Sequence, residues 1–327
     1  MDEVARVRER FARFAAEEAP GRSDVYEEWA GGVAGDGEIA AILARIPASH
    51  RQPPLVFAVT RLRGAAASDY ASWAAFVRAD AEGIVAECAA RSLQTNEPLR
   101  CAALLPALSL VDGPVALLEL GASGGLCLFP DRYSYRYAGA AGEVALDPAD
   151  GASPVVLAAE LRGSVVPAVR MPEIVWRAGI DLQPRDPRDP DDRAWLAGLV
   201  WPGETGRAER IAAAVDVAAS GAPRLVAGDV ADLALLREVA ASAPVGATLV
   251  ITTPGLLPYL PRARREALVA GIRDLDARWV TLDQPALHDA WTTPIDPGTW
   301  GDGFALALDG DVLAAADPLG SWLHWRA

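Results

Sequence analysis

The chain has 327 residues, 51% of them hydrophobic and 23% charged, with a net charge of −14 and a pI near 4.7. That apolar fraction supports a real core and excludes wholesale disorder, and ~100–200 residues per domain allows one large domain or two modest ones. The acidic balance argues against a nucleic-acid partner, which needs a basic surface. Every positive residue is Arg, so the chain has no lysine for a P-loop, a Schiff base or a Ser–Lys dyad.

In chain order the first hundred residues read as helical. Val4, Val7, Phe11 and Phe14 follow the stripe of an amphipathic helix. Ser23-Asp24 can cap a second helix through Trp29, and a third runs over about Glu38–Ile46. Further helices carry Trp73, Phe76 and Val77, then Ile84–Ala90, then Glu97–Leu110 with Pro98 in its first turn and Thr95 or Asn96 as its cap. A helical subdomain over 1–112 is expected, followed by an α/β domain over 113–327.

From Val115 the texture changes. Val115–Leu120, Glu173–Trp176, Arg224–Ala227, Thr248–Ile251 and Arg278–Leu282 are short apolar runs, with helical stretches Arg207–Ala219, Ala231–Ala241 and Arg262–Leu275 between several of them. Strands alternating with helices predict a parallel α/β sheet. Phe304–Leu308 and Asp311–Ala315 around Asp309-Gly310 predict a type I′ hairpin forming an antiparallel edge. Tyr133, Tyr135 and Tyr137, at period two, mark a β-excursion at about 126–171 that can cover a pocket. The Pro- and Asp-rich stretch 184–193 reads as a solvated loop. Trp195 and Trp201 read as packing residues.

Cys88, Cys101 and Cys127 are widely spaced, and His50, His288 and His324 do not cluster, so no disulfide framework or metal centre is expected. The charged start of the chain lacks a signal-peptide run and no apolar stretch approaches 18 residues, so no membrane role is expected and a cytoplasmic location is.

The sharpest feature is Leu117-Leu118-Glu119-Leu120-Gly121-Ala122-Ser123-Gly124-Gly125, a strand running into a glycine turn. Gly121 permits an unusual backbone angle, and the glycines let a ligand approach the main chain. An acid at the strand's end is costly to bury without hydrogen bonds. Two templates compete. Gly-x-Ser-x-Gly is the nucleophile elbow of serine hydrolases, with Ser123 as nucleophile and Asp289 with His324, or Asp283 with His288, as partners. Against it, Leu126–Phe129 runs into Pro130 rather than a long helix.

The other template resembles the first motif of class I S-adenosylmethionine-dependent methyltransferases, acid-x-Gly-x-Gly-x-Gly, here with Ser123 at the middle glycine. Trp176 to Asp181 resembles that fold's second strand, Leu225 to Val230 its third, and Thr248–Ile251 with Thr252 to Tyr259 its fourth. More closely, Arg91, Gln94 to Glu97 and Arg100, the glycine segment, Trp176 to Asp181, Trp195-Leu196, Val200 to Pro202, Asp317-Pro318 and Trp322 resemble a bacterial family of uncharacterised proteins grouped with the methyltransferase-like fold.

The resemblance implies a Rossmann-like, mostly parallel sheet and S-adenosylmethionine as cofactor, without metal, acting on a small-molecule acceptor. It implies cofactor contacts from Glu119, Gly121, Ala122, Ser123 and Gly125, from Asp181 and Leu182 at the ribose, from Gly228, Asp229 and Val230 near the adenine, and from Thr252. Arg100 would grip the cofactor carboxylate. Gln94, Asn96, Glu97 and Tyr259 would orient substrate, with Glu97 and Asp283 as candidate bases. Glu119 and Asp181 stand further apart than the ~30 residues of a βαβ unit, and no Asn/Asp-Pro-Pro-Tyr motif occurs. A methyltransferase-like binding module without catalysis is the alternative.

Overall fold

A computed structural model describes residues 2–140 and 142–326. Six helices come first: α1 (Glu3–Glu17), α2 (Asp24–Gly35), α3 (Gly37–Leu43), α4 (Pro53–Leu62), α5 (Tyr70–Ala79) and α6 (Ala81–Ala90). Then follow α7 (Arg100–Leu108), β1 (Pro114–Leu120), β2 (Ser134–Gly139), β3 (Gly142–Leu146), β4 (Val156–Arg162) and β5 (Glu173–Asp181). After α8 (Pro190–Gly198) and α9 (Arg207–Gly221), strands and helices alternate: β6 (Arg224–Ala227), α10 (Leu233–Ala240), β7 (Thr248–Pro254), α11 (Arg262–Arg273) and β8 (Arg278–Asp283). The chain ends with α12 (Pro297–Trp300), β9 (Phe304–Leu308), β10 (Asp311–Ala316) and β11 (Trp322–Trp325).

These elements form two compact units. One takes residues 1–95 and 189–212, the other residues 96–188 and 213–327. Compared with the expected division near residue 112, α7 goes with the sheet, and 189–212 goes with the helices. In the helical unit Phe11, Phe14, Tyr26, Trp29, Phe57, Trp73 and Trp201 make a continuous aromatic core, with Trp29 and Trp73 stacked at 5.2 Å. Trp195 is fully buried there as well. The stretch 184–193 is not a loop throughout: Asp189 accepts from the Asp191 and Asp192 N–H groups and Pro190 sits at the first turn, so α8 starts inside it.

The sheet unit is mixed α/β around one eleven-stranded sheet of order β3-β2-β4-β11-β10-β9-β8-β7-β1-β5-β6. Within β8-β7-β1-β5-β6 every neighbour is parallel. Counting only these five strands in chain order gives 3-2-1-4-5, a doubly wound arrangement whose direction of winding reverses between β1 and β7. The hairpin β9–β10 has both turn residues at positive φ, Asp309 at 55° and Gly310 at 90°, as a type I′ turn requires. It is not an edge. β11 and the strands of the tyrosine excursion extend the sheet beyond it.

The excursion is therefore part of the sheet rather than a pocket cover. Tyr133, Tyr135 and Tyr137 are buried, and their hydroxyls donate to the carbonyls of Leu126, Pro130 and Ala102 at 2.6, 2.6 and 2.8 Å.

Candidate functional site

Alternation along β1 sends Leu118 and Leu120 into the core cluster on one face of the sheet, and Leu117 and Glu119 to the other. Glu119 lies beside Thr252 of β7 and Gly179 of β5. The carboxyl ends of β1 and β7, where winding reverses, are where such sheets bind ligands.

The turn after β1 is a bent loop whose N–H groups are all assigned. Gly121 (φ 78°), Ser123 (φ 47°) and Gly125 (φ 70°) are left-handed, which costs a serine about 1–2 kcal/mol. Gly121 and Ala122 donate to the Ile180 carbonyl, and Gly125 to that of Ala122. Ser123 N–H donates to Asp181 Oδ2 at 2.8 Å, and Gly124 N–H to Asn96 Oδ1 at 3.1 Å. Asn96 is thus not a helix cap. Its side chain ties the segment before α7 to the glycine turn, and α7 starts at Arg100 with no side-chain cap.

Three buried polar atoms around this turn have no hydrogen-bond partner among the described residues: Glu119 Oε2, Ser123 Oγ and Asn96 Nδ2. Burial pushes the Glu119 carboxyl well above the ordinary range. The Cys127 thiol and Asp181 add to the rise, while the Arg100 charge opposes it. Arg100 itself donates to the main chain, Nε to Pro318 O at 3.0 Å and Nη1 to Pro254 O at 3.2 Å. Two donors of the guanidinium expected to grip a cofactor carboxylate thus staple the end of β7 to the loop before β11.

The remaining expected residues meet different surroundings. Asp181 accepts from the N–H groups of Ser123 and of Gln183, both at 2.8 Å, so the carboxylate is fixed at the end of β5. Asp229 accepts from Ala231 N–H and pairs with Arg264, which holds its carboxyl below the ordinary range. Gly228 packs under Leu235, where a Cβ would stand 2.2 Å from that side chain. Thr252 and Val230 are buried, whereas Leu182 and Tyr259 are exposed. Glu97 is buried and accepts from Leu99 N–H. Gln94 belongs to the helical unit.

Asp283 ends β8 fully buried, with neither oxygen in a hydrogen bond of ordinary geometry. Desolvation drives its pKa well up, and the Leu257 backbone and the Arg100 and Arg265 charges do not offset it. Thr281, two residues earlier, is buried with its hydroxyl unpartnered. Sequence reading passed over it, although a threonine two places before an acid in an apolar strand already marks a shared polar face.

The elbow geometry is not found among the described residues. Gly124 N–H, the donor an oxyanion hole would need, serves Asn96. His324 lies in β11, five strand positions from β1, about 24 Å at ~4.8 Å per strand. Asp289 pairs with Arg265, and the side chain of His288 lies outside the described residues. Among the described residues no group of His, Cys, Asp or Glu side chains is arranged to hold a metal ion, and no helix is long and apolar enough to cross a membrane.

Residues 8–325 match the family described as "Uncharacterized protein conserved in bacteria (DUF2332)". No curated protein and no solved structure matches the chain.

Proposed function

We propose, for a chain that belongs to the DUF2332 family of uncharacterised proteins conserved in bacteria, that the β1 turn binds S-adenosylmethionine and that the protein is a methyltransferase for a small-molecule acceptor. The observation that carries the reading is the trio of buried, unpartnered atoms, Glu119 Oε2, Ser123 Oγ and Asn96 Nδ2, at the point where the winding reverses. Buried polar atoms are nearly always hydrogen-bonded, and each one left unmade costs ~1–3 kcal/mol. Three around one loop support a ligand that supplies both donors and acceptors.

The residues fit the cofactor at the β1 turn and at Asp181, but not at Arg100, whose guanidinium is engaged with main-chain carbonyls, nor at Asp229. Glu119 would accept from its amino group, and Asn96 Nδ2 and Ser123 Oγ would donate to its carboxylate. Asp181, already oriented by two backbone N–H groups, would receive ribose hydroxyls, since a carboxylate accepts more than two hydrogen bonds. Asp229 does not fit, because Arg264 and Ala231 hold it. Bound there, S-adenosylmethionine would supply an electrophilic methyl group, and the chain's part is alignment, which by itself can provide much of a rate.

Calorimetric titration of the full chain with S-adenosylmethionine tests this. Binding in the micromolar range is expected, weakened tenfold or more by Glu119→Gln, since a hydrogen bond to a charged group contributes ~1.5–3 kcal/mol. No heat up to millimolar cofactor overturns it. The commitment of the Glu97 carboxylate to Leu99 N–H favours a second reading, a module that binds without turnover. Binding without S-adenosylhomocysteine release across a panel of amines, alcohols, thiols and carboxylates would select that reading.

A further inference from the structure

A second set of unpartnered polar atoms lies on the opposite face of the sheet. Alternation along β8 puts Trp279, Thr281 and Asp283 on the face whose core includes Leu257, Leu287, Trp291 and Trp300. The register sets Thr253 of β7 beside Thr281, and Ala307 and Ala305 of β9 beside Thr281 and Asp283. Ala315 of β10 follows Ala305. Around one carboxyl, then, the sheet presents only small side chains, in a core that elsewhere carries larger leucine, isoleucine, valine and tryptophan residues.

Thr253 accepts from the Trp279 indole at 3.1 Å, as a buried hydroxyl ordinarily does. Thr281 Oγ1 has no such partner, and the Leu257 N–H beside Asp283 leaves both carboxyl oxygens without a hydrogen bond of ordinary geometry. Leucine or valine at these positions would remove the cost entirely, so three unmet atoms on small-residue ground point to a group from outside the chain. Its chemistry follows from what they offer. Carboxyl oxygens accept, and the nearby cations are engaged elsewhere, Arg265 with Asp289 and Arg100 with the Pro254 and Pro318 carbonyls. An ammonium brings three donors and the charge that lets the buried carboxyl ionise, whereas a carboxylate or phosphate would bury a second acid with no counter-charge.

We propose that Asp283 and Thr281 form a binding site for the amino group of a small molecule, separate from the β1 turn. Thermal unfolding of the full chain with n-butylamine, and with butyrate and butanol as controls of equal length at constant ionic strength, tests it. Butylamine is expected to raise the wild-type midpoint by a few degrees at saturation, as ligands that bind only the native state do, with the two controls inert. Asp283→Asn should abolish the rise. Thr281→Val, which keeps the shape and should fold in any case, should weaken butylamine binding several-fold. An equal response to butyrate, an amine response retained in both variants, or no amine response in the wild type overturns the proposal. The β1 turn is read separately by the S-adenosylmethionine titration, so either site can fail alone.

Discussion

Strand β2 and the end of strand β1 bury polar groups in the same sheet to opposite effect. Tyr133 just before β2, and Tyr135 and Tyr137 within it, each spend the hydroxyl on a main-chain carbonyl within 2.8 Å, so polarity there fixes chain segments to one another. At the β1 turn the main chain is equally well served, every N–H from Gly121 to Gly125 having an acceptor, yet the side chains of Glu119, Ser123 and Asn96 keep unmet atoms. A buried polar group that is fully served acts in the fold. The atoms left unmet at the turn are the ones the proposed cofactor would serve.

Substitutions can break this contrast. The largest effect is expected from Asp181→Ala, which removes the acceptor for the Ser123 and Gln183 N–H groups. About 3 kcal/mol should be lost in urea unfolding, from two hydrogen bonds to a charged acceptor, and an unchanged midpoint would mean that the turn is held otherwise. Tyr135→Phe should cost about 1–2 kcal/mol by stranding the Pro130 carbonyl, whereas Glu119→Gln without ligand should cost nothing. Equal losses at the two positions would erase the distinction.

A pH series sharpens it. Burial raises the pKa of Glu119 and Asp283 in the folded chain, so the native state holds protons that the unfolded chain releases. Stability from these groups is full below the ordinary carboxylate range and is lost as pH rises through the raised values. Unfolding midpoints between pH 5 and 8 should therefore fall with pH, and the double variant Glu119→Gln, Asp283→Asn should flatten that fall. Asp131, also raised by burial, retains part of the slope. A small effect is expected for Ser123→Gly, a gain below ~1 kcal/mol as relief of the left-handed serine outweighs the added chain entropy. A loss in guanidinium unfolding would show that the hydroxyl already has a structural partner.

Much of this was legible. The five parallel strands were readable because strands covered on both faces are continuous apolar runs. The glycine turn announced itself through residues that tolerate positive φ. Less legible were α4 and α8, whose helical character depends on burial in the aromatic core and on the Asp189 cap. The roles of Asn96, Arg100 and Asp229 were unreadable for another reason: each is set by a partner 28, 154 or 35 residues away along the chain, and local pattern carries no information about such pairs.

By itself the sequence determined the alternation of strand and helix, the type I′ hairpin and the position of an acid and three glycines at a strand end, because backbone preference and hydrophobic period act over a few residues. Only the tertiary structure decided that the hairpin is interior, that the tyrosines brace the sheet, and which buried carboxyls are served and which are not. Strand order and hydrogen-bond partnership are long-range properties, chosen when the whole core closes and each polar atom either finds a neighbour or is left without one.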